Sequence, residues 1–236
     1  MDAFSYHNLF ETKGIEYLII IAFLILMIPF YLILNKKLKV GQRIREIGGF
    51  LVTRLHKIPH GVLHAPNHTW VYLNRAGVAE VGMDNLLTHL TGEVNVRLLK
   101  TPGETIRRGE PMAIIQQADK SLRIHSPVSG SVEVLNPDYE VPAVLTGEDP
   151  YGHEWLLRIR PSAWMEETKE YYLAGSAMEW MKRETERFRD FLSLKLPVYE
   201  PGGLAPALQD GGEVASHVLT ELPAGMWNEF QKDFLD

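Results

Sequence analysis

The chain contains no cysteine, which excludes disulfides, iron–sulfur ligation, thiolate zinc sites and thiol nucleophiles together. The short motifs of catalysis are missing too. No serine–histidine–acid arrangement, phosphate loop or metalloprotease helix motif can be read in it, and no acid–base pair or nucleophile stands out, so a non-enzyme is expected. Positive charge is scarce over most of the length: residues 58–236 carry 16 basic and 26 acidic side chains, net −10. Such a body repels phosphate backbones, so nucleic acid is not an expected partner. Disorder is excluded as well, because 45% of the 236 residues are apolar and long polar tracts are lacking.

One stretch stands apart from the rest. Tyr17 to Leu34 reads YLIIIAFLILMIPFYLIL, without a charged side chain, and as a helix it would be roughly 27 Å long. That length predicts a transmembrane helix over 15–34. A cleaved signal peptide fits less well, since no small-x-small site follows and the preceding residues lack a basic cluster. Pro29 lies inside the run, removes a backbone donor and predicts a kink. Lys13 is the one basic residue before the run, whereas Lys36, Lys37, Lys39, Arg43, Arg45, Arg54 and Lys57 follow it; residues 35–57 have net charge +6. By the positive-inside rule, residues 1–14 are external and everything after the span is cytoplasmic, giving a single-pass protein of the cell membrane. Residues 35–59 form a basic collar beside the lipid.

Beyond the collar the pattern changes to period two. Glu93-Val94-Asn95-Val96-Arg97-Leu98 and Trp155-Leu156-Leu157-Arg158-Ile159-Arg160 alternate between polar and apolar, which means strands with one buried face. Strands are expected near 69–74, 78–82, 93–98, 111–117, 121–125, 131–135 and 154–160, punctuated by Gly77, Gly92, Pro102-Gly103, Gly109, Pro127, Gly130 and Pro150. Many short strands with regular turns predict a small barrel or sandwich. A short helix is expected around Met83–Leu90, started by Gly82 or Asp84 and stopped by Gly92.

The segments His68-Thr69-Trp70-Val71, Val78 to Asp84, Leu90-Thr91-Gly92-Glu93-Val94, Pro102 to Glu110, Ser126-Pro127-Val128-Ser129-Gly130 and Glu148 to Trp155 occur in an order and spacing that resemble the glycine cleavage system H protein family. The resemblance covers about residues 60–165. It implies a mainly β fold, a barrel-sandwich hybrid of lipoyl-domain type with flanking helices, here preceded by the transmembrane helix. In that family a lysine at a hairpin tip bears lipoic acid, which carries an aminomethyl group between partner enzymes. The family's Glu-Ser-x-Lys motif, counted from Gly109 or back from Ser126, falls on Gln116-Gln117-Ala118-Asp119. Asp119 therefore stands at the lysine position. Lys120 follows it, and Asp119-Lys120 resembles the Asp-Lys pair of acyltransferase lipoyl domains, with a spacing to Ser126 one residue shorter. Lys120 is expected to be an ordinary turn lysine, and the alternative is that it is the lipoyl attachment site.

Other constellations are less productive. His56, His60, His64 and His68 recur every fourth residue, but Pro59 and Pro66 forbid the helix that would align them, and no metal site is expected. After the domain at 60–162, residues 163–196 predict two amphipathic helices: one capped by Ser162, running from Ala163 to about Leu173 and stopped by Gly175, and one after Ser176. In the second, Ala177, Trp180, Met181, Phe188, Phe191 and Leu192 form an apolar stripe, with Lys182, Arg183, Glu184, Glu186, Arg187 and Arg189 on the charged face. Residues 197–236 comprise a Pro/Gly-rich linker and a helical tail with Trp227, Phe230, Phe234 and Leu235. The tail is too short to be stable alone and must dock on its own domain or another subunit. Two roles stay open. One is a docking or assembly subunit of a membrane-bound complex, with no lipoyl arm and no cofactor; the other is a lipoyl carrier with lipoic acid on Lys120. Expected partners are other subunits of that complex and, through the N-terminal helix, membrane lipid.

Overall fold

The computed structural model describes residues 17, 18, 20–28, 58–139, 143–199 and 217–236. The chain divides into two units, Met1–Gln42 and Arg43–Asp236. In the first, Tyr17, Leu18 and Ile20–Ile28 are helical, and their large apolar side chains are 48–71% exposed. Among the described residues no helix is long and apolar enough to cross a membrane. The remainder of the expected span, the N-terminal 14 residues, the collar up to residue 57 and the stretch 200–216 lie outside the described residues.

The second unit is built from two antiparallel sheets. Among the described residues eleven strands run in chain order: β1 (Leu63–His64), β2 (Thr69–Leu73), β3 (Ala79–Met83), β4 (Val94–Leu98), β5 (Thr105–Ile106), β6 (Pro111–Gln117), β7 (Lys120–His125), β8 (Gly130–Leu135), β9 (Ala143–Leu145), β10 (Trp155–Pro161) and β11 (Tyr172–Leu173). One sheet has the order β11-β1-β2-β3-β10-β8-β5 and the other β7-β6-β4-β9. The alternation read from sequence decides which side chains point inward: in β4, Val94 and Val96 are buried while Asn95 and Arg97 are exposed. In the other strands Met112, Ala113, Ile115, Leu122, Ile124, Val132, Leu157 and Ile159 are all at most 1% exposed. The seven expected strands are present, and the flanking helices complete the mainly β fold expected. Four shorter strands escape period-two reading, because two or three residues cannot display an alternation.

The helices are α1 (Asn85–Thr91), α2 (Trp164–Glu167), α3 (Gly175–Tyr199), α4 (Val218–Glu221) and α5 (Ala224–Phe230), with a wider final turn over Gln231–Leu235. At the start of α1 the Asp84 carboxylate accepts from Leu87 N at 2.8 Å, satisfying one of the orphan donors of a helix N-terminus. Gly92 ends α1 at φ 65, and a Cβ there would approach the His217 ring within 2.6 Å. Glycine is thus required twice, by backbone geometry and by the tail that closes over it.

Two helix expectations need correction. The helix expected from Ala163 to Leu173 is one turn long, and Ser162 does not cap it; position Ala163 precedes it without a side-chain hydrogen bond. The chain then leaves helical geometry so that Tyr172 and Leu173 can pair with His64 and Leu63, a ladder that competes with helix for the same backbone groups. Gly175 opens α3 instead of closing α2, and α3 continues through Pro197 to Tyr199.

The tail docks on its own domain. Leu219 and Met226 are fully buried, Trp227 and Phe230 are 1% exposed and Phe234 is 4% exposed. Phe188 and Phe191 of α3 meet Phe230 and Phe234 edge to face at centroid distances of 5.6–6.3 Å, and Phe230 stacks on Phe234 at 4.7 Å. Such pairs add about 0.5–1.5 kcal/mol each beyond the area they bury. Burial against these rings supplies what a seven-residue helix lacks in water.

Candidate functional site

The hairpin β6–β7 is where the sequence places its candidate attachment site. Its ladder runs from Ala113↔Ile124 to Gln117↔Lys120, so the turn consists of Ala118 and Asp119 alone. Ala118 adopts φ 53, a left-handed conformation that costs an alanine about 1–2 kcal/mol. Asp119 is exposed at this tip, whereas Lys120 is the first residue of β7 and only partly exposed. The one-residue offset therefore separates a carboxylate at the apex from an amine on the flank.

That amine is held. Lys120 Nζ donates to Thr220 O at 2.6 Å and to Leu222 O at 3.2 Å and lies 5.3 Å from the centroid of the Trp227 ring. The two carbonyls belong to the C-terminal end of α4, which carries unpaired acceptors and the negative end of the helix dipole. Next along the strand, Arg123 N donates to Gln231 Oε1 at 2.8 Å and Gln231 Nε2 donates back to Arg123 O at 3.2 Å. Beyond them a cavity of about 580 Å³ opens between domain and tail, with Arg108, His125, Tyr171, Arg187, Asp233 and Asp236 in its wall.

A second cluster lies inside the domain. His68 Nδ1 donates to Asp84 Oδ2 at 2.8 Å, and Glu184 Oε2 of α3 stands 3.6 Å from Nε2, close enough for charge attraction but too long for a hydrogen bond. Burial alone would push the His68 imidazole down; Asp84 and Glu184 together outweigh it and raise the group to about 9. Burial likewise works against ionisation of Asp84 and Glu184, and the imidazolium between them holds both below the usual carboxylate range. His64, which shares a hydrogen bond of 2.9 Å with the Tyr151 hydroxyl, is shifted the other way: burial lowers it. Arg187 pairs with Glu184 at 2.9 Å and balances the second carboxylate, so the cluster ties the start of β2, the cap of α1 and the middle of α3 into one charge-balanced unit.

Among the described residues the four-residue histidine spacing gathers no metal site. His64 and His68 lie within the fold, His60 is exposed, and His56 lies outside the described residues. Among the described residues no group of three or more histidine, aspartate or glutamate side chains could hold a metal ion. Glu184 is the residue that sequence reasoning misplaced. Assigned to the charged face, it is 9% exposed; its spacing of four from both Trp180 and Phe188 puts it on the apolar stripe, and that signal was available.

A family model of the glycine cleavage H-protein matches residues 62–184, more than half of the chain. The chain belongs to the glycine cleavage H-protein family. The glycine cleavage system H protein of Aeromonas salmonicida is 32% identical over 103 residues, which are 44% of this chain and 80% of that protein. That of Rubrobacter xylanophilus is 32% identical over 106 residues, 45% of this chain and 83% of that protein. A crystal structure of a glycine cleavage system H protein from Mycobacterium marinum matches with 24% identity and a TM-score of 0.44, covering 53% of this chain and 98% of that one. Residues 62–184 are thus an H-protein domain of lipoyl-carrier type, and H proteins are carriers rather than catalysts. The apolar N-terminal run and the tail 217–236 lie outside the matched residues.

Proposed function

We propose that this chain is a non-enzymatic H-protein module that works by docking, tethered to a membrane by its N-terminal apolar segment and presenting no lipoyl arm at its hairpin tip. One observation carries this: the two residues exposed at the tip of the β6–β7 hairpin are Ala118 and Asp119, with Asp119 at the position where the family's lysine is expected. A carboxylate has no amine to form the amide link that a swinging arm needs. The tether is supported by the run of all-round apolar side chains from Tyr17, exposed in its own unit, and by the basic collar after it, a combination suited to lipid. The partners of such a module are other subunits at the same membrane.

Family membership favours a second role, that of a lipoyl carrier between partner enzymes on the cytoplasmic side. It has a residue to act through. Lys120 flanks the tip on the same hairpin, and lipoic acid on its amine is compatible with the family. Mass analysis of the protein purified from its own cell separates the two: docking without an arm predicts an unmodified peptide spanning Arg108–Arg123, and a lipoyl group on Lys120 establishes the carrier.

A further inference from the structure

We propose that the charge of Lys120 locks the C-terminal tail over the edge of the hairpin sheet, so that acylation of this amine and docking of the tail exclude each other.

β7 is an edge strand, since its sheet has the order β7-β6-β4-β9. Edge strands leave backbone donors and acceptors unpaired and invite another chain. Here the tail occupies that edge. The Gln231 side-chain amide takes both the N–H and the carbonyl of Arg123, in the manner of a neighbouring strand. The His125 ring sits 3.1 Å from Leu235 O. At the tip end, the Lys120 ammonium binds the two α4 carbonyls and faces Trp227. Lys120 thus supplies the charged end of a latch that closes β7 along its length.

The cation–π contact requires the ammonium form, whose charge strengthens both hydrogen bonds. Acylation converts it into a neutral amide with one N–H, which can serve at most one carbonyl, has no charge for the helix end and gives no cation–π attraction. The acyl chain would also have to occupy the space filled by α4 and Trp227. In the reaction itself, the deprotonated amine attacks the carbonyl of an activated acyl donor, an acyl adenylate or an active ester. The C–N bond forms, the C–O bond to the leaving group breaks, that group departs with the electron pair, and the amine proton passes to water. The lock stands on the contacts alone and holds in both roles proposed above. For a docking module it keeps an edge strand closed, and for a carrier it requires the tail to leave before a ligase can act.

The test uses the full chain in mild detergent and acetyl N-hydroxysuccinimide ester as acyl donor, with acetylation followed by peptide mass spectrometry. Lys182 on α3, which is exposed, serves as internal reference. Lys120 is expected to react at least about tenfold more slowly than Lys182, because it reacts only from the open state, and the gap is expected to narrow in Trp227→Ala. Conversely, Lys120→Gln should speed hydrogen exchange of the amides in 217–236 several-fold while leaving those of β8 and β10 unchanged. Equal acetylation of Lys120 and Lys182 in the unaltered protein, or tail exchange unchanged by Lys120→Gln, overturns the lock. Neither result bears on whether the native protein carries lipoic acid, so the two proposals fail separately.

Discussion

The buried imidazolium makes a prediction that can be worked through in full. His68 is 1% exposed and raised from 6.5 to about 9 in the folded chain. Between those two values the folded protein keeps a proton that the unfolded chain has released, so stability falls as pH rises through this window, by about 1.4 kcal/mol per pH unit. The contribution is complete below pH 6.5 and gone above pH 9, on the order of 3 kcal/mol in total. Other members of the cluster act on the acid side. His64 is lowered, so its contribution is present above 6.5 and lost as pH falls through its depressed value. Asp84 and Glu184, also lowered, contribute above the ordinary carboxylate range and are lost at lower pH still. Maximum stability is therefore expected near pH 6.5.

Urea unfolding of the detergent-solubilised chain, followed by tryptophan fluorescence at pH steps from 6.5 to 9.5, measures this decline. Glu184→Gln removes one of the two carboxylates that hold the proton and should move the alkaline limb to lower pH, while Asp84→Asn, which also weakens the α1 cap, should do so at a larger cost in stability. A flat profile across the window, or a His68 ring resonance titrating near 6.5, would refute the reasoning.

Two further predictions concern the ends of the chain. Phe230→Ala should cost about 3–5 kcal/mol and lower Tm by roughly 6–20 °C, measured by circular dichroism, since Phe230 touches three other rings; an unchanged Tm would mean that the tail contributes nothing to the core. A cysteine introduced near Ser5 should react with a membrane-impermeant thiol reagent in intact cells and one near Glu200 should not; the reverse pattern would overturn the cytoplasmic placement.

The β framework was legible because its signals are local. Alternation in Val94–Leu98 or Trp155–Pro161 needs no knowledge of what lies opposite, and Gly92 and Asp84 announce the end and start of α1 by chemistry alone. What could not be read is what depends on partners distant in sequence. β11 exists because Tyr172 and Leu173 find β1 more than a hundred residues earlier, and no propensity within 163–173 signals it. At the candidate site, counting placed Asp119 at the family's lysine position, but the contacts of Lys120 with Thr220 and Leu222 join residues a hundred positions apart.

The tail shows how energetics decide where pattern leaves two answers. A stripe of Trp227, Phe230 and Phe234 fits a partner's groove as well as it fits the parent domain, and a helix this short has no stability of its own to favour either. The decision lies with the receiving surface. Phe188 and Phe191 on α3 would be left open without the tail, and β7 would stand as an unpaired edge beside them. One segment covers both, with apolar rings against α3 and Gln231, Leu235 O and the α4 carbonyls against β7. Because the segment is part of the same chain, closing over its own domain also avoids the translational and rotational entropy lost when two molecules associate. A partner that binds this face must therefore outcompete an intramolecular ligand, and any change that removes the charge of Lys120 weakens that competitor.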